Sequence, residues 1–247
     1  MSAPVSGRPG LFDVNAVLEA AYARFKRSAP KCLPLMMVAV LCAGAADLYW
    51  MASGHKATGL FETRDTRYYL LQLGGFLLYV WLATAFMLRM QALTTGDEPS
   101  LSAELQQAAR RWPSVVVAWL AATVLVMVGL VALIAPGIYL SVCLIPLLPV
   151  LVIENLPPVE AIRRCVVLVR PLWAKVLAAL LIAALIVLVC LFASGLLLAM
   201  FYSILGSGNT PLQNALNTTG QLFLLALAQI FFYAVAIEIY SSAKASA

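Results

Sequence analysis

The chain has few charged residues for its length of 247: lysine, arginine, aspartate and glutamate together make up 11% of it. Soluble domains contain roughly a quarter of such residues. Apolar residues account for 63%, which is more apolar surface than the core of a soluble protein needs. The composition therefore excludes an ordinary soluble domain and predicts an all-α, polytopic integral membrane protein.

Residues that carry out catalysis or bind metals are also scarce. His55 is the single histidine, and no two of the five cysteines form a CxxC pair. The sequence has no glycine-rich phosphate loop, no HExxH and no GxSxG motif. Because metal sites need clustered ligands, we interpret the cysteines as small packing residues in reduced or lipid surroundings. We expect no enzymatic activity, no cofactor and no metal site.

What the sequence does contain is a series of apolar runs, most of them long enough to cross the hydrocarbon core of a bilayer. They predict six transmembrane helices in a single integral membrane domain, residues 11–247, after a disordered tail at residues 1–10. The predicted spans are residues 33–53, 68–94, 114–134, 138–153, 172–205 and 215–240. Pro146 and Pro149 lie within the short fourth span and are expected to kink it, because proline lacks the backbone donor.

The basic residues predict how the spans are oriented, because lysine and arginine are enriched in cytoplasmic segments. If the N-terminus is cytoplasmic, the outer segments hold only Lys56, Arg64 and Arg67, and all other basic residues lie on the inner side. The distribution of basic residues therefore predicts six spans with both termini in the cytoplasm.

Three basic segments precede the odd-numbered spans: LEAAYARFKRSAP from Leu18, LSAELQQAARRWP from Leu101 and VEAIRRCVVLVRP from Val159. Aligned without gaps, they share alanine at the third position and proline at the last. The shared residues are Ala20, Ala103 and Ala161, and Pro30, Pro113 and Pro171. The pattern predicts an amphipathic inner-face helix, a proline break and a transmembrane hairpin, used three times. The alternative is that any inner-leaflet helix before a span has these features.

Charged residues at the inner ends of the spans predict a carboxylate–guanidinium network. Its members are Glu154, Arg163, Arg164, Glu238 and Arg89. We expect it to fix the amphipathic segments against the bundle rather than to couple transport. The same basic residues are suited to anionic lipid headgroups.

Asp47 is the charge that lies deepest in a predicted span. A carboxylate inside the membrane is a candidate functional group, because leaving it unpaired in lipid is costly. The alternative, which we favour, is that Asp47 is an interfacial residue because the first span ends earlier than residue 53.

One stretch of about 40 residues resembles a known family. It contains the sequence Pro136–Tyr139, then Pro149, Glu154, Ala161 and Arg164. It is similar to the glycerophosphoryl diester phosphodiesterase membrane-domain-like proteins and to related uncharacterised bacterial six-helix families. Their pattern is a PG turn, an apolar helix that ends in glutamate, and an A-x-x-R-S helix. The resemblance implies a bacterial inner-membrane module without catalytic residues of its own, fused in some relatives to a soluble phosphodiesterase.

The chain departs from this pattern at two positions. Cys165 stands where the pattern has serine, and Cys143 lies about where it often has arginine. A polar role that the family gives to these positions does not carry over to this chain.

These observations support three hypotheses about function. The leading one is a non-enzymatic accessory or scaffold protein that contacts membrane lipids and anionic headgroups at the inner face, as a homo-oligomer or within a membrane complex, without nucleic acid. The second is a small transporter or export permease with a site at the broken fourth span, since discontinuous helices often line such sites. A polar cavity near Pro146 and Pro149 favours the second, and a packed apolar interior counts against it. The third is an intramembrane enzyme that uses outer-face groups. These groups are Asp47, His55, Glu62 and Asp65.

Overall fold

The computed structural model describes residues 12–53, 64–96, 100–205 and 211–246. Within these ranges the regular structure is helical and contains no strand, so the predicted all-α class is confirmed. The helices are α1 (Val14–Ala43), α2 (Ala45–Ala52), α3 (Thr66–Thr95), α4 (Leu101–Ala132), α5 (Ile134–Cys143), α6 (Leu147–Pro149), α7 (Pro158–Val169), α8 (Trp173–Leu205) and α9 (Pro211–Ser246), with a π-helical turn, Val150–Glu154, after α6 and a 3₁₀ turn, Arg170–Leu172, between α7 and α8. The tail predicted at residues 1–10 lies outside the described residues.

Among the described residues, four helical stretches are long and apolar enough to cross a membrane: Thr66–Thr94, Leu101–Ala132, Pro158–Leu197 and Thr219–Ser246. A fifth forms if α5 and Leu147–Glu154, which are bent by 41° relative to each other, count as one span. The chain is therefore a multi-pass helical membrane protein.

The first predicted span, residues 33–53, is divided between two helices. Helix α1 ends at Ala43, Gly44 caps it, and α2 begins at Ala45. Opposite the division, Gly75 of α3 lies so close to the backbone carbonyl of Cys42 that a Cβ atom would collide with it. Glycine therefore serves here to bring α3 against α1, as small residues do between membrane helices. A Cβ atom on the adjacent Gly74 would meet open space.

Polar side chains begin three of the long helices. Asp13, Asp65 and Ser100 each accept a hydrogen bond from a backbone N–H in the first turn of α1, α3 and α4 respectively. Such caps satisfy donors that have no partner within the helix.

The prolines that were predicted to break the chain lie inside continuous helices. Pro30 is part of α1 and Pro113 is part of α4, so the predicted break is wrong at both positions. At Pro171 the chain passes through the 3₁₀ turn directly into α8. Each proline removes one backbone hydrogen bond, whereas a full break in lipid leaves several polar groups unsatisfied, so continuing the helix costs less.

The aligned alanines of the three basic segments do not share an environment. Ala161 is fully buried, while Ala20 and Ala103 are exposed. The alignment therefore does not identify equivalent packing positions, and the threefold repeat stays a prediction.

The turn between α4 and α5 lies earlier than the sequence predicted. The backbone is extended at Leu133, and Pro136 and Gly137 already belong to the first turns of α5. A Cβ atom on Gly137 would collide with Leu130 of α4. The PG pair therefore serves to start α5 and pack it against α4.

A single large apolar cluster joins most of the helices. Helix α3 packs against α1 and α4, and the side chains of Phe86 and Met87 in its middle are fully buried. The outer faces of α4 and α8 expose large apolar residues such as Val131 and Phe192. Exposed apolar faces of this size suit contact with lipid chains rather than with water.

Candidate functional site

Glu154 ends the π-helical turn and lies within a cluster of polar groups. One carboxylate oxygen accepts hydrogen bonds from the Tyr240 hydroxyl at 2.8 Å and from Lys244 Nζ at 3.2 Å. The other oxygen lies 3.5 Å from Arg164 Nε. Arg163, another predicted member of the network, is exposed and makes no ion pair with any described residue. The helix α6 and the π-helical turn that follows it are together called the α6 segment (Leu147–Glu154). Glu154 therefore links the α6 segment to both α7 and α9.

Glu238 pairs with Arg24. Arg24 was predicted to lie on the inner side, but it was not among the predicted members of the network. Arg24 Nε donates to Glu238 Oε1 at 2.6 Å, and the side chains are 16% and 14% exposed. This pair joins α1 to α9. The signal that could have identified Arg24 is its position on α1 between the buried residues Ala21 and Ser28.

Arg89 pairs with Glu104, which is not among the predicted members of the network. Arg89 Nη1 donates to Glu104 Oε2 at 2.9 Å, and the Glu104 side chain is only 4% exposed. Glu104 lies one turn before the buried Ala108 on α4. The sequence offered one signal for this pair. Glu104 lies on the apolar face of a predicted amphipathic segment, and a buried charge normally has a partner.

The three pairs Arg24–Glu238, Arg89–Glu104 and Arg164–Glu154 are called the inner-end ion pairs below, after the predicted inner ends of the spans. Each joins one basic segment to another helical element: α1 to α9, α4 to α3, and α7 to the α6 segment. Glu238 and Lys244 on α9 connect the first and third of them. They position the basic segments at one end of the bundle.

A cavity of about 440 Å³ lies beside the bend between α5 and α6. It is called the apolar cavity below. Its lining residues come from α4 to α6, α8 and α9 and are Trp119, Ala122, Thr123, Val126, Ser141, Leu144, Ile145, Leu147, Leu148, Pro149, Leu180, Phe232, Tyr233 and Ala236. Its volume falls within the range of small-molecule sites.

The hydroxyl groups in this lining are engaged within the protein. The hydroxyls of Thr123 and Ser141 each donate to a carbonyl of their own helix at 2.8 Å. The Tyr233 hydroxyl lies at hydrogen-bonding distance, 3.0 Å, from that of Tyr79. The cavity therefore suits an apolar occupant better than a polar one.

Asp47 lies at the other end of the bundle from the inner-end ion pairs, in an exposed position. Its side chain is 62% exposed, and its carboxylate accepts from the Tyr68 hydroxyl at 2.8 Å and from Arg64 at 3.3 Å. The Arg64 guanidinium also lies 4.2 Å from the centre of the Tyr68 ring. An exposed carboxylate among aromatic and basic groups is typical of the membrane–water interface.

The residues proposed for outer-face catalysis are described only in part. Asp65 caps α3 by accepting from the Tyr68 backbone N–H at 2.9 Å. His55 and Glu62 lie outside the described residues. Within the described ranges, no group of three or more side chains is arranged to hold a metal ion.

No family model, no curated protein and no solved structure matches this chain.

Proposed function

We propose that this chain is a non-enzymatic, lipid-binding accessory protein of a bacterial inner membrane. The observation that carries the proposal is the apolar cavity, whose lining hydroxyl groups already form hydrogen bonds within the protein. An acyl chain that enters it exchanges no hydrogen bonds and gains close packing contacts. The resemblance to a membrane module without catalytic residues agrees with this proposal.

The proposed topology has six spans, both termini in the cytoplasm and amphipathic segments at the inner face. In this arrangement α1 and α2 together make the first crossing, and the bent α5–α6 pair makes the fourth. The distribution of basic residues supports the orientation.

The inner-end ion pairs also support a threefold repeat, in which each unit is an amphipathic segment followed by a transmembrane hairpin. The segment that begins the second unit, α4, pairs with α3, which ends the first. The segment that begins the third, α7, pairs with the α6 segment, which ends the second. The segment that begins the first, α1, pairs with α9, which ends the third. Each basic segment therefore pairs with the last helical element of the preceding unit, and the first unit pairs in this way with the third.

Two alanines on α4 offer a matched test of acyl-chain binding. Ala122 lines the apolar cavity, whereas the adjacent Ala121 is exposed on the outer face. We expect protein purified by mild extraction to retain phospholipid in native mass spectrometry. Ala122→Phe should lose most of it, and Ala121→Phe should retain it. If the wild-type protein holds no lipid, or if both variants hold as much as the wild type, the cavity does not bind acyl chains.

The same native spectra report whether the protein is a homo-oligomer. Co-purification of a second membrane protein at fixed stoichiometry supports the alternative, a membrane complex.

A small transporter is the second candidate, and the 41° bend between α5 and Leu147–Glu154 favours it. A transport pathway for a polar solute must be hydrated at this bend. Ser141→Cys in the cavity lining tests this with a water-soluble methanethiosulfonate, and Val128→Cys on the exposed face of α4 is the control. We expect neither cysteine to react, and rapid modification of Ser141→Cys alone supports transport.

A further inference from the structure

A second cavity, of about 310 Å³, lies between α4 and the chain that leads from the π-helical turn to α7. It is called the basic cavity below. Its lining residues are Arg110, Arg111, Ser114, Val115, Leu151, Asn155, Leu156 and Pro157. These described lining residues include two adjacent arginines and no carboxylate, so the cavity carries uncompensated positive charge.

Arg111 differs from the other half-buried arginines in the described part of the chain. Arg24, Arg64, Arg89 and Arg164 each form an ion pair with a carboxylate. Arg111 instead donates to the backbone carbonyl of Val152, which bears no net charge. A guanidinium has five N–H donors, so this bond orients Arg111 and leaves donors for another acceptor.

Arg110 adds a second cation at the same cavity. It is exposed, and it forms no hydrogen bond or ion pair with a described residue. Guanidinium groups bind phosphate through two parallel N–H donors, so two of them lining one cavity provide a suitable phosphate site. The polar side chains of Ser114 and Asn155 line the same space.

The basic cavity and the apolar cavity lie one after the other between α4 on one side and α6 with the π-helical turn on the other. On α4, Arg111, Val115, Trp119 and Ala122 recur at steps of three or four residues, so they lie on one helix face. From Arg111 to Trp119 the rise is about 12 Å at 1.5 Å per residue. On the opposite wall, α6 lines the apolar cavity and the π-helical turn contributes to the basic one.

We infer that the two cavities bind one phospholipid of the inner leaflet, with its phosphate on Arg110 and Arg111 and an acyl chain in the apolar cavity. The order of the cavities matches the order of phosphate and chain in such a lipid, because the basic cavity lies at the predicted inner end of α4. This inference rests on the proposed lipid-binding function and specifies which part of the lipid each cavity holds.

The test is a titration of delipidated, full-length protein with phosphatidylglycerol, followed by native mass spectrometry. Arg110→Gln should raise the apparent Kd about tenfold, the usual effect of losing a charge-assisted hydrogen bond. Arg110 has no partner within the described residues, so this variant should fold. Arg27→Gln removes an exposed arginine that pairs with no described residue and lines neither cavity, and it should leave the Kd within about twofold of wild type. Equal effects of the two variants overturn the inference.

Arg111→Lys retains the charge but loses the two-pronged donor, so it should also raise the Kd. An unchanged Kd for this variant, at an unchanged melting temperature, counts against phosphate binding at Arg111.

Two further ligands separate the phosphate from the chain. Diacylglycerol with the same chains lacks the phosphate, so it should bind more weakly and show no dependence on Arg110. Inorganic phosphate should not displace the lipid at concentrations that leave the protein folded. If inorganic phosphate does displace it and diacylglycerol does not bind, the basic cavity is a site for free anions and the inference is wrong.

Ala122→Phe distinguishes failure of this inference from failure of the proposed function. If Ala122→Phe abolishes lipid binding but Arg110→Gln has no effect, the apolar cavity binds lipid and only the phosphate assignment fails. If neither variant changes lipid binding, both proposals fail.

Discussion

Arg24 and Glu238 lie 214 positions apart in the chain, yet Arg24 Nε donates directly to Glu238 Oε1 at 2.6 Å. The pair joins the first and the last of the described helices. Both side chains are largely withdrawn from solvent, so screening by water and salt is weaker than at an exposed pair. The contact therefore ties one end of the bundle together, between two helices that the chain order places farthest apart.

Removing this pair should destabilise the protein. We expect Arg24→Gln to lower the free energy of unfolding by about 1–3 kcal/mol, as for the loss of a hydrogen bond between charged groups. Arg27→Gln is the matched control, because Arg27 is exposed and forms no ion pair with a described residue. Unfolding in detergent by urea or heat measures both. The charge exchange Arg24→Glu with Glu238→Arg should recover part of the loss, and equal melting temperatures for Arg24→Gln and Arg27→Gln contradict the prediction.

The Arg89–Glu104 pair should matter more, because Glu104 is almost completely buried. Glu104→Ala leaves the Arg89 charge without its carboxylate, which costs about 3–5 kcal/mol at a buried pair. Glu19→Ala removes an exposed carboxylate from α1 and should have little effect. A double-mutant cycle with Arg89→Met isolates the coupling between the two side chains. A coupling energy near zero means that the pair contributes nothing to stability.

The adjacent glycines of α3 should respond differently to the same substitution. Gly75→Ala places a Cβ atom against the Cys42 carbonyl, and forcing α1 and α3 apart should cost about 1–3 kcal/mol. Gly74→Ala meets open space and should be neutral or stabilise the helix by up to about 1 kcal/mol. Thermal unfolding of the two variants side by side checks this. Similar melting temperatures mean that the close approach of α1 and α3 is not needed.

Reporter fusions test the number of spans. Alkaline phosphatase is active only outside the cytoplasm, so a fusion after Arg67 should be active if α1 and α2 together cross the membrane. A fusion after Ser246 should be inactive, because six spans return the C-terminus to the cytoplasm. A fusion to green fluorescent protein after Ser246 should then be fluorescent. Inactivity of the Arg67 fusion means that the first segment does not cross, and the six-span topology is then wrong.

Local features of the sequence were enough to predict the helices. Runs of apolar residues predicted the span at residues 68–94, which the structure places within Thr66–Thr95. The length and polarity of such a run decide whether it crosses a bilayer, and neither depends on what it packs against. The bend between α5 and Leu147–Glu154 was also predictable, because Pro146 and Pro149 lack a backbone donor wherever they occur.

Features that depend on packing were not predictable in this way. The sequence suggested that Pro30 and Pro113 stop a helix, but the cost of unsatisfied backbone groups and contacts with neighbouring helices keep both helices continuous. Likewise Gly74 and Gly75 are the same residue type in adjacent positions. Only the orientation of α3 determines that Gly75 faces α1.

The division between sequence and tertiary structure is clearest at the charged residues. By itself, the sequence determined that this is a helical membrane protein, because composition and the length of apolar runs suffice for that. Only the tertiary structure decided that Glu238 pairs with Arg24 and Glu104 with Arg89, and that Arg111 donates to a backbone carbonyl instead of pairing with a carboxylate of the described residues. A side chain's choice of partner depends on which helices lie side by side, and packing along their whole length decides that.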